Sequence, residues 1–347
     1  MSERENIVSA IVRTAVNWKN LEYPIRQDAI DRSLEADNWF TEAAINFAVN
    51  QQMDLLSEPE LTAWQSELGW KEDSCVGVLN PGNIPFVELQ DFLAVVLSGQ
   101  TYKGTLSKKS PALFPAFLSD VLEEYPDLRA DLTDLDEILE SADAIIGSGS
   151  NETMAMVGDR AEAEGIPITR CWLRPSSYSV AILEGRENED ALISLAEDVL
   201  LHEGQGCRNV SLVFAPAKMS IDPVLDAFAT FRGMFSAHPN TTGTLKMQQA
   251  FLKAVETPHA FADDHQFLIS RGEAEVQLPG HLRWVSYQNF DEVTNWLAQN
   301  RAQTQCIVSD SRMSRLIEDV QGLGTSQRPA LDWKPDGMAH SSFFRHI

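Results

Sequence analysis

The sequence predicts an α/β protein with a helical N-terminal segment, on three observations. Short β-rich runs such as VGVL, ADAII and VSLVFAP alternate with amphipathic stretches from Cys75 onward, the pattern of a mostly parallel sheet covered by helices. Residues 1 to about 70 instead carry Trp18, Trp39, Phe40, Phe47, Leu55, Leu56, Leu61 and Trp64 at helical spacing. With 347 residues, 44% of them hydrophobic and 22% charged, the chain can bury one large core or two moderate ones, so two or three subdomains are expected.

The N-terminal segment holds no chemical motif and reads as a helical cap on the rest. The first β/α unit is VGVLN, then Pro81, Gly82 and Asn83, then IPFVELQDFLAVVLSG. Pro85 suits a first helical turn, Phe86, Leu89, Phe92, Leu93 and Val96 recur at helical spacing, and Gly99 fits a C-terminal stop. Pro81, Gly82 and Asn83 then occupy a strand-to-helix loop, where α/β folds put ligands. A second helix is expected over 111–124.

The second unit, ADAIIGSGSNETMAMVGDRAEAEG, reads as a strand ending at Ile146, a small-residue turn, and a helix entered near Ser150 or Asn151. Backbone N–H groups at such a helix start can hold a phosphate, and Gly147 and Gly149 let the backbone come close to it. GSGSN is not GxGxxG, so the turn alone does not single out a dinucleotide. Strand-like IPITRCWL and SVAIL follow, then a helix over 188–202 and the segment EGQGCRNVSLVFAP. Further strand and helix signals cover 284–287, 290–300 and 306–309. No internal repeat and no low-complexity linker marks a domain boundary.

The formal net charge of −24 argues against a nucleic-acid footprint or a polybasic membrane patch. Lys is sparse, nine against eighteen Arg, and an acidic, Lys-poor surface suits a salty cytoplasm. The N-terminus lacks an apolar stretch with a cleavage site, and no run approaches about 18 apolar residues, so a cytoplasmic protein without a membrane span is expected. Cys75, Cys171, Cys207 and Cys306 are too few and scattered for a disulfide framework, and no CxxC or CxxH pairing suggests zinc.

Three of these cysteines lie in apolar contexts and read as small hydrophobes. Cys207 differs, lying in a Gly-Gln-Gly turn between an acidic helix end and an apolar strand. An exposed thiol there serves acyl transfer, because the thiolate is a strong nucleophile and a backbone N–H beside it can hold the oxyanion. Arg208 is placed to lower its pKa. A buried thiol in a turn is the competing reading. His202, at a helix end, reads as a surface or dipole-compensating residue. The His259, Asp263, Asp264 and His265 group reads as a surface loop, and no metal site is assigned. HExxH, GxSxG and GxxxxGK[ST] are all absent.

Three segments taken together, NPGNIPF through LSGQTY, ADAIIGSGSNET and EGQGCRNVSLVFAP, resemble in order and spacing the LuxC-like acyl-CoA reductases of the aldehyde dehydrogenase superfamily. The resemblance covers about residues 75–216, with a weaker echo in RPALDWKPDG. It implies an aldehyde dehydrogenase-like fold, with a Rossmann-like nucleotide-binding domain over 71–201 completed by 312–347. An α/β catalytic domain follows over 202–311, and 1–70 is the helical N-terminal segment. It further implies Cys207 as nucleophile, Asn83 as the oxyanion-hole amide, and Gly147, Ser148, Gly149, Ser150 and Asn151 as the nucleotide-facing turn.

The implied activity is an NAD(P)H-dependent acyl-CoA reductase that forms an aldehyde through a Cys207 acyl-thioester. NADPH or NADH would be the cofactor, acyl-CoA or another acyl-thioester the substrate, and an acyl-activating ligase a partner. A CoA-acylating aldehyde dehydrogenase running in the other direction is the alternative enzyme. A non-catalytic acyl-binding or scaffold subunit that keeps the fold is the alternative of another class. Hydrolytic relatives carry a glutamate base in Glu-Leu-Gly-Gly, set here against SVAILEG, which offers no acid at that place. Where the family has a lysine for the adenosine ribose this chain has Thr105, with Lys103 and Lys109 as nearby substitutes.

Overall fold

A computed structural model describes residues 2–36, 38–71, 74–310, 313 and 316–347. Residue 312, the expected start of the returning C-terminal segment, lies outside the described residues. The chain forms two compact units, one of Met1–Asn38, Ile45–Ser176 and Ala330–Ile347, the other of Trp39–Ala44 and Ser177–Pro329.

The first unit opens with α1 (Glu3–Lys19), α2 (Pro24–Glu35), α3 (Glu42–Leu55, from Ile45 on) and α4 (Glu58–Leu68). These helices are tied in by buried polar bonds as well as by apolar packing. The Trp18 indole donates to Asp120 Oδ2 at 2.7 Å, and its ring meets Phe86 and Phe117 edge-on with centroids 5.5 Å apart. Such pairs contribute about 0.5–1.5 kcal/mol each beyond burial. The buried Arg26 guanidinium donates to Trp18 O at 2.7 Å and to Asn46 and Asn50 Oδ1 at 2.8 Å.

Strands and helices then alternate as β1 (Cys75–Leu79), α5 (Leu89–Leu97), β2 (Thr101–Thr105), α6 (Leu113–Glu124) and β3 (Ala130–Thr133), followed by α7 (Leu135–Ser141), β4 (Ala144–Ser148), α8 (Asn151–Ala163) and β5 (Cys171–Arg174). The five strands make a parallel sheet in the order β3-β2-β1-β4-β5. The chain winds outward from β1 through β3 and then returns to the other side of β1, so the winding reverses between β1 and β4. There Leu79 pairs with Gly147. Ligands of open α/β sheets bind outside the carboxyl ends of the strands at such a switch point.

Pro85 does not enter the first turn of α5. Phe86 adopts φ 61° with its ring buried, a left-handed residue that a right-handed helix excludes, and α5 begins only at Leu89. The stop at Gly99 is present, with φ +81°. The helix expected from residue 111 starts at Leu113.

The second unit holds β6 (Tyr178–Ile182), α9 (Glu189–Leu200), β7 (Val210–Pro216), α10 (Asp222–Met234), α11 (Pro239–Ala254), β8 (His259–Phe261), β9 (Leu268–Arg271), β10 (His281–Tyr287), α12 (Phe290–Asn300), β11 (Thr304–Ser309) and β12 (Val320–Gly322). Its sheet runs β12-β11-β6-β7-β10-β9-β8, parallel throughout except for the edge strand β8. The helix expected over 188–202 is α9, with Asn188 as its N-cap accepting from Ala191 N. The last helix, α13 (His340–Phe344), belongs to the first unit. No helix among the described residues is long and apolar enough to cross a membrane.

Candidate active site

In the first unit both predicted turns leave the carboxyl ends of neighbouring central strands. After β1, Asn80 fastens the start of the loop: its N–H donates to Thr105 Oγ1 at 3.1 Å, and its amide donates to Tyr102 OH at 2.7 Å and Thr105 O at 2.8 Å. Gly82 follows, where a Cβ would come within 2.0 Å of Ser107 Oγ. Only glycine allows this approach, and it brings half-buried Asn83 onto the bend before α5.

After β4, Gly147 and Ser148 still pair with Leu173 and Arg174 of β5, and Gly149 N donates to Arg174 O at 3.2 Å. Ser150 is the N-cap of α8, its hydroxyl accepting from Thr153 N at 3.1 Å. Asn151 Oδ1 accepts from Ser176 N at 3.2 Å. The five residues therefore form one short exit from β4 into the positive end of a 13-residue helix.

A cavity of about 410 Å³ opens on the side of the first turn at the carboxyl ends of β2 and β3, lined by Thr105, Leu106, Leu132, Thr133, Asp134 and Leu135. Thr105 lines it. Lys103 is occupied elsewhere, with Nζ 2.9 Å from Glu137 Oε1 and 3.1 Å from Ser141 Oγ, whereas Lys109 is exposed.

Beneath the second turn lies a polar group that the sequence did not reveal. Arg174, at the end of β5, clasps Asp91 of α5 with both terminal nitrogens, and His340 Nε2 stands 2.7 Å from Asp91 Oδ1. All three side chains are buried. Although burial raises the Asp91 carboxyl, Arg174 and His340 outweigh it and hold it well below the usual carboxylate range. An aspartate on the buried, mostly apolar α5 was the available signal. SVAIL proves to be β6, in the other unit. The strand after the second turn in the same sheet is β5, and the residues that follow it, Pro175, Ser176 and Ser177, contain no acid.

In the second unit the chain leaves α9 through three consecutive left-handed residues, His202 (φ 53°), Glu203 (φ 58°) and Gly204 (φ 72°). Non-glycine residues rarely hold this conformation, which persists only where the surroundings impose it. Two contacts impose it here. The buried Glu203 carboxylate accepts from Arg232 Nη1 at 3.1 Å and His238 N at 3.2 Å. Gly204 packs so closely that a Cβ would lie 2.5 Å from Gly280 N. His202 is buried rather than on the surface, and burial lowers its pKa to about 4, so it is neutral at physiological pH.

The Cys207 turn that follows is braced on several sides. Ser179 Oγ donates to Cys207 O at 3.0 Å. Asn209 Oδ1 accepts from Gly206 N at 2.9 Å, while its Nδ2 donates to Leu201 O at 2.8 Å. Arg208 reaches inward, donating to Ser326 O and, at 2.8 Å, to Gln321 Oε1. Ser326 is held in turn by the buried Asp198, which accepts from Ser326 N at 2.9 Å, Ser326 Oγ at 2.7 Å and Gly324 N at 2.6 Å. Burial raises Asp198 to about 6 despite these donors.

Cys207 itself is exposed, whereas Cys75 and Cys171 are half-buried and Cys306 is buried. Burial pushes those three thiols up, which keeps them protonated and slow to react. His259 stands 3.1 Å from Gln249 and 2.7 Å from Thr257 O. No group of three or more His, Cys, Asp or Glu among the described residues could hold a metal ion.

No protein-family model and no curated protein matches the sequence. Solved structures match in fold. An oxidoreductase from Marinobacter aquaeolei superposes with a TM-score of 0.75 at 13% identity, over 97% of this chain and 81% of that one. The methylmalonate-semialdehyde dehydrogenase of Oceanimonas doudoroffii gives 0.70 at 12% identity, over 95% and 83% of the two chains. An aldehyde dehydrogenase from Bacillus cereus, solved in complex with NAD+, gives 0.70 at 12%, over 93% and 76%. The chain has the aldehyde dehydrogenase-like fold, and identities of this size speak for the fold alone.

Proposed function

We propose that the protein is an NAD(P)H-dependent reductase of acyl thioesters, acyl-CoA in the first place, which forms an aldehyde through an acyl group carried on Cys207. The observation that carries this reading is that Cys207 alone of the four cysteines is exposed, on a turn braced by Ser179 and Asn209 that follows three left-handed residues, His202, Glu203 and Gly204. That is how a fold presents a nucleophile rather than how it stores a spare thiol.

In this reading the Cys207 sulfur attacks the thioester carbonyl, the bond to the CoA sulfur breaks, and CoA leaves as its thiol. The Asn83 amide and the Cys207 backbone N–H are assigned to the carbonyl oxygen as charge builds on it. Ser179 and Asn209 hold the nucleophile's backbone and do not touch the reacting atoms.

The first unit suits a dinucleotide. The turn of Gly147, Ser148, Gly149, Ser150 and Asn151 opens onto a helix start at the switch point, and the cavity between β2 and β3 offers Asp134 and Thr133 beside Leu106, Leu132 and Leu135. We assign the turn to the phosphates and the cavity to the adenosine. A bound nicotinamide supplies the hydride that takes the enzyme thioester to aldehyde. The reductive direction is favoured by the absence of an acid in Pro175, Ser176 and Ser177 after β5, where a base to activate water would be expected.

Intact-mass analysis after mixing with acyl-CoA tests the reading. One acyl mass is expected, mapped to the Cys207 peptide and discharged as aldehyde by NADPH or NADH. Cys207→Ser is expected to fold, bind nucleotide and form no adduct. An adduct on another cysteine, or wild-type turnover in Cys207→Ser, overturns it.

A further inference from the structure

The loop that carries Asn83 runs from Asn80 to Glu88, between β1 and α5. Its first residue is fastened to β2, through the bonds of Asn80 to Tyr102 OH and to Thr105. Its last residue is a wholly buried glutamate. Glu88 stands at the N-cap of α5, where a carboxylate ordinarily accepts from the free N–H groups of the helix, yet its side chain makes no capping bond. It is turned into the fold instead, towards Ser110 and Tyr102.

Both Glu88 oxygens, the Ser110 hydroxyl oxygen and Asn80 Oδ1 are buried without a hydrogen-bond partner among the described residues. No cation pairs with the Glu88 carboxyl among the described residues either, since Arg174 and His340, which reach α5, both meet Asp91. Such a place does not tolerate a carboxylate, whereas the neutral acid carries an O–H that a neighbouring buried oxygen can accept. Burial accordingly outweighs Ser110 and the Glu88 backbone, which favour the charged form, and raises the group to about 8. The other titratable groups around it keep one charge state near neutrality. Tyr102 of β2, whose ring meets Phe92 of α5 and Phe114 of α6, is raised well above 10. Asp91 of α5 is held well below the usual carboxylate range.

Both ends of the loop are thus buried beside β2, and the far end suits its place only while Glu88 is neutral. Between them Phe86, left-handed and packed edge-on against Trp18 and Phe117, stiffens the bend, so a displacement at Glu88 is passed along the loop to Asn83. We propose that Glu88 is a positioning residue: its neutral carboxyl anchors the loop beyond Asn83, and ionisation frees the loop and withdraws the Asn83 amide from the carbonyl oxygen assigned to it. The inference rests on the acyl-transfer reading above, and Glu88 itself touches no reacting atom.

The test compares wild type with Glu88→Gln, which keeps the size and neutrality of the acid and cannot ionise. Acylation of Cys207 by acyl-CoA, followed by intact mass, is expected to run at similar rates in the two proteins at pH 6.5. At pH 9 about nine-tenths of a group raised to about 8 is ionised, so wild type should be slower than Glu88→Gln by about tenfold; taking the ratio cancels the titration of the thiol. Glu88→Ala, which removes the anchor, should be slow at both pH values. Hydrogen exchange of the peptide spanning 80–88, compared at matched pH, reads the loop without any acyl chemistry. Wild type should exchange faster than Glu88→Gln at pH 9 and at the same rate at pH 6.5. A rate ratio that stays flat from pH 6.5 to 9, loop exchange that does not separate the two proteins at pH 9, or an alanine variant as fast as wild type at pH 6.5 would overturn the proposal. If neither protein forms a Cys207 adduct while the exchange behaves as expected, the acyl-transfer reading falls and the anchor stands.

Discussion

Asn209→Ala is expected to lower both the stability of the second unit and the reactivity of Cys207, since one side chain joins the end of α9 to the turn that carries the proposed nucleophile. Asn209 is 1% exposed. Its Oδ1 accepts from Gly206 N at 2.9 Å, and its Nδ2 donates to Leu201 O at 2.8 Å, with longer bonds to Asp198 O and Val199 O. Alanine leaves the buried Leu201 carbonyl without this partner and the part-buried Gly206 N–H without its acceptor. The buried group so left costs about 1–3 kcal/mol, and the part-buried one adds less. In a unit of this size each kcal/mol lowers Tm by about 2–4 °C. Loosening the turn by an ångström slows chemistry that depends on orientation by up to about 100-fold. Asn209→Asp separates the two halves of the bridge: the carboxylate still accepts from Gly206 N but turns a negative charge on the helix-end carbonyls, and should be no more stable than alanine. Thermal unfolding by circular dichroism and the acylation rate by intact mass give the two readouts. An alanine variant with Tm within a degree of wild type and an unchanged rate would refute the reasoning.

Asn83→Ala is expected to leave the fold intact and to slow acylation of Cys207 by about 100- to 1000-fold, the usual loss for one oxyanion donor; unchanged turnover with acyl-CoA removes Asn83 from the site. Gly149→Val, whose first added carbon alone comes 3.1 Å from Met154 Cε, should weaken nucleotide binding in a fluorescence titration while acylation persists, and equal affinity would put the phosphates elsewhere. Glu88 is wholly buried, and burial raises its pKa from 4.5 to about 8. The folded state then holds a proton that the unfolded chain releases, so this group's contribution is full below pH 4.5 and is lost as pH rises through about 8. Glu88→Gln should remove that part of the slope in urea midpoints measured between pH 5 and 9, and a difference between the two proteins that does not change with pH would refute it.

What could be read from the sequence was whatever local chemistry alone determines. Both strand-to-helix turns were legible because small residues must stand where a backbone exits a strand into a helix, as Gly82 does against Ser107 and Ser150 does as the cap of α8. The start of α5 was not, because periodicity counts Phe86 among the apolar positions and cannot see that its ring fills the space beside Trp18 and Phe117. His202 was misread for a related reason. Its place after α9 suggests a helix end in water, and only the packing of Glu203 on Arg232 and of Gly204 on Gly280 carries that end into the core.

The acids around the two turns follow one logic. Asp198 lies on the buried face of α9 beside Leu195 and Val199, and Asp91 lies among the buried apolar residues of α5. An ionised group on such a face is tolerated only if donors converge on it. The donors that do so are the backbone of residues 324–326 for Asp198, and Arg174 with His340 for Asp91. Each acid thereby fixes a segment distant in sequence: Asp198 holds the stretch on which Arg208 rests, and Asp91 holds the end of β5, to which Gly149 is bonded. Neither partner can be found by reading along the chain, since Ser326 and His340 lie more than a hundred residues from the acids they meet. The acids themselves are visible as polar interruptions of apolar helices. Such interruptions beside a turn proposed to carry the chemistry are where long-range supports of the site should be sought.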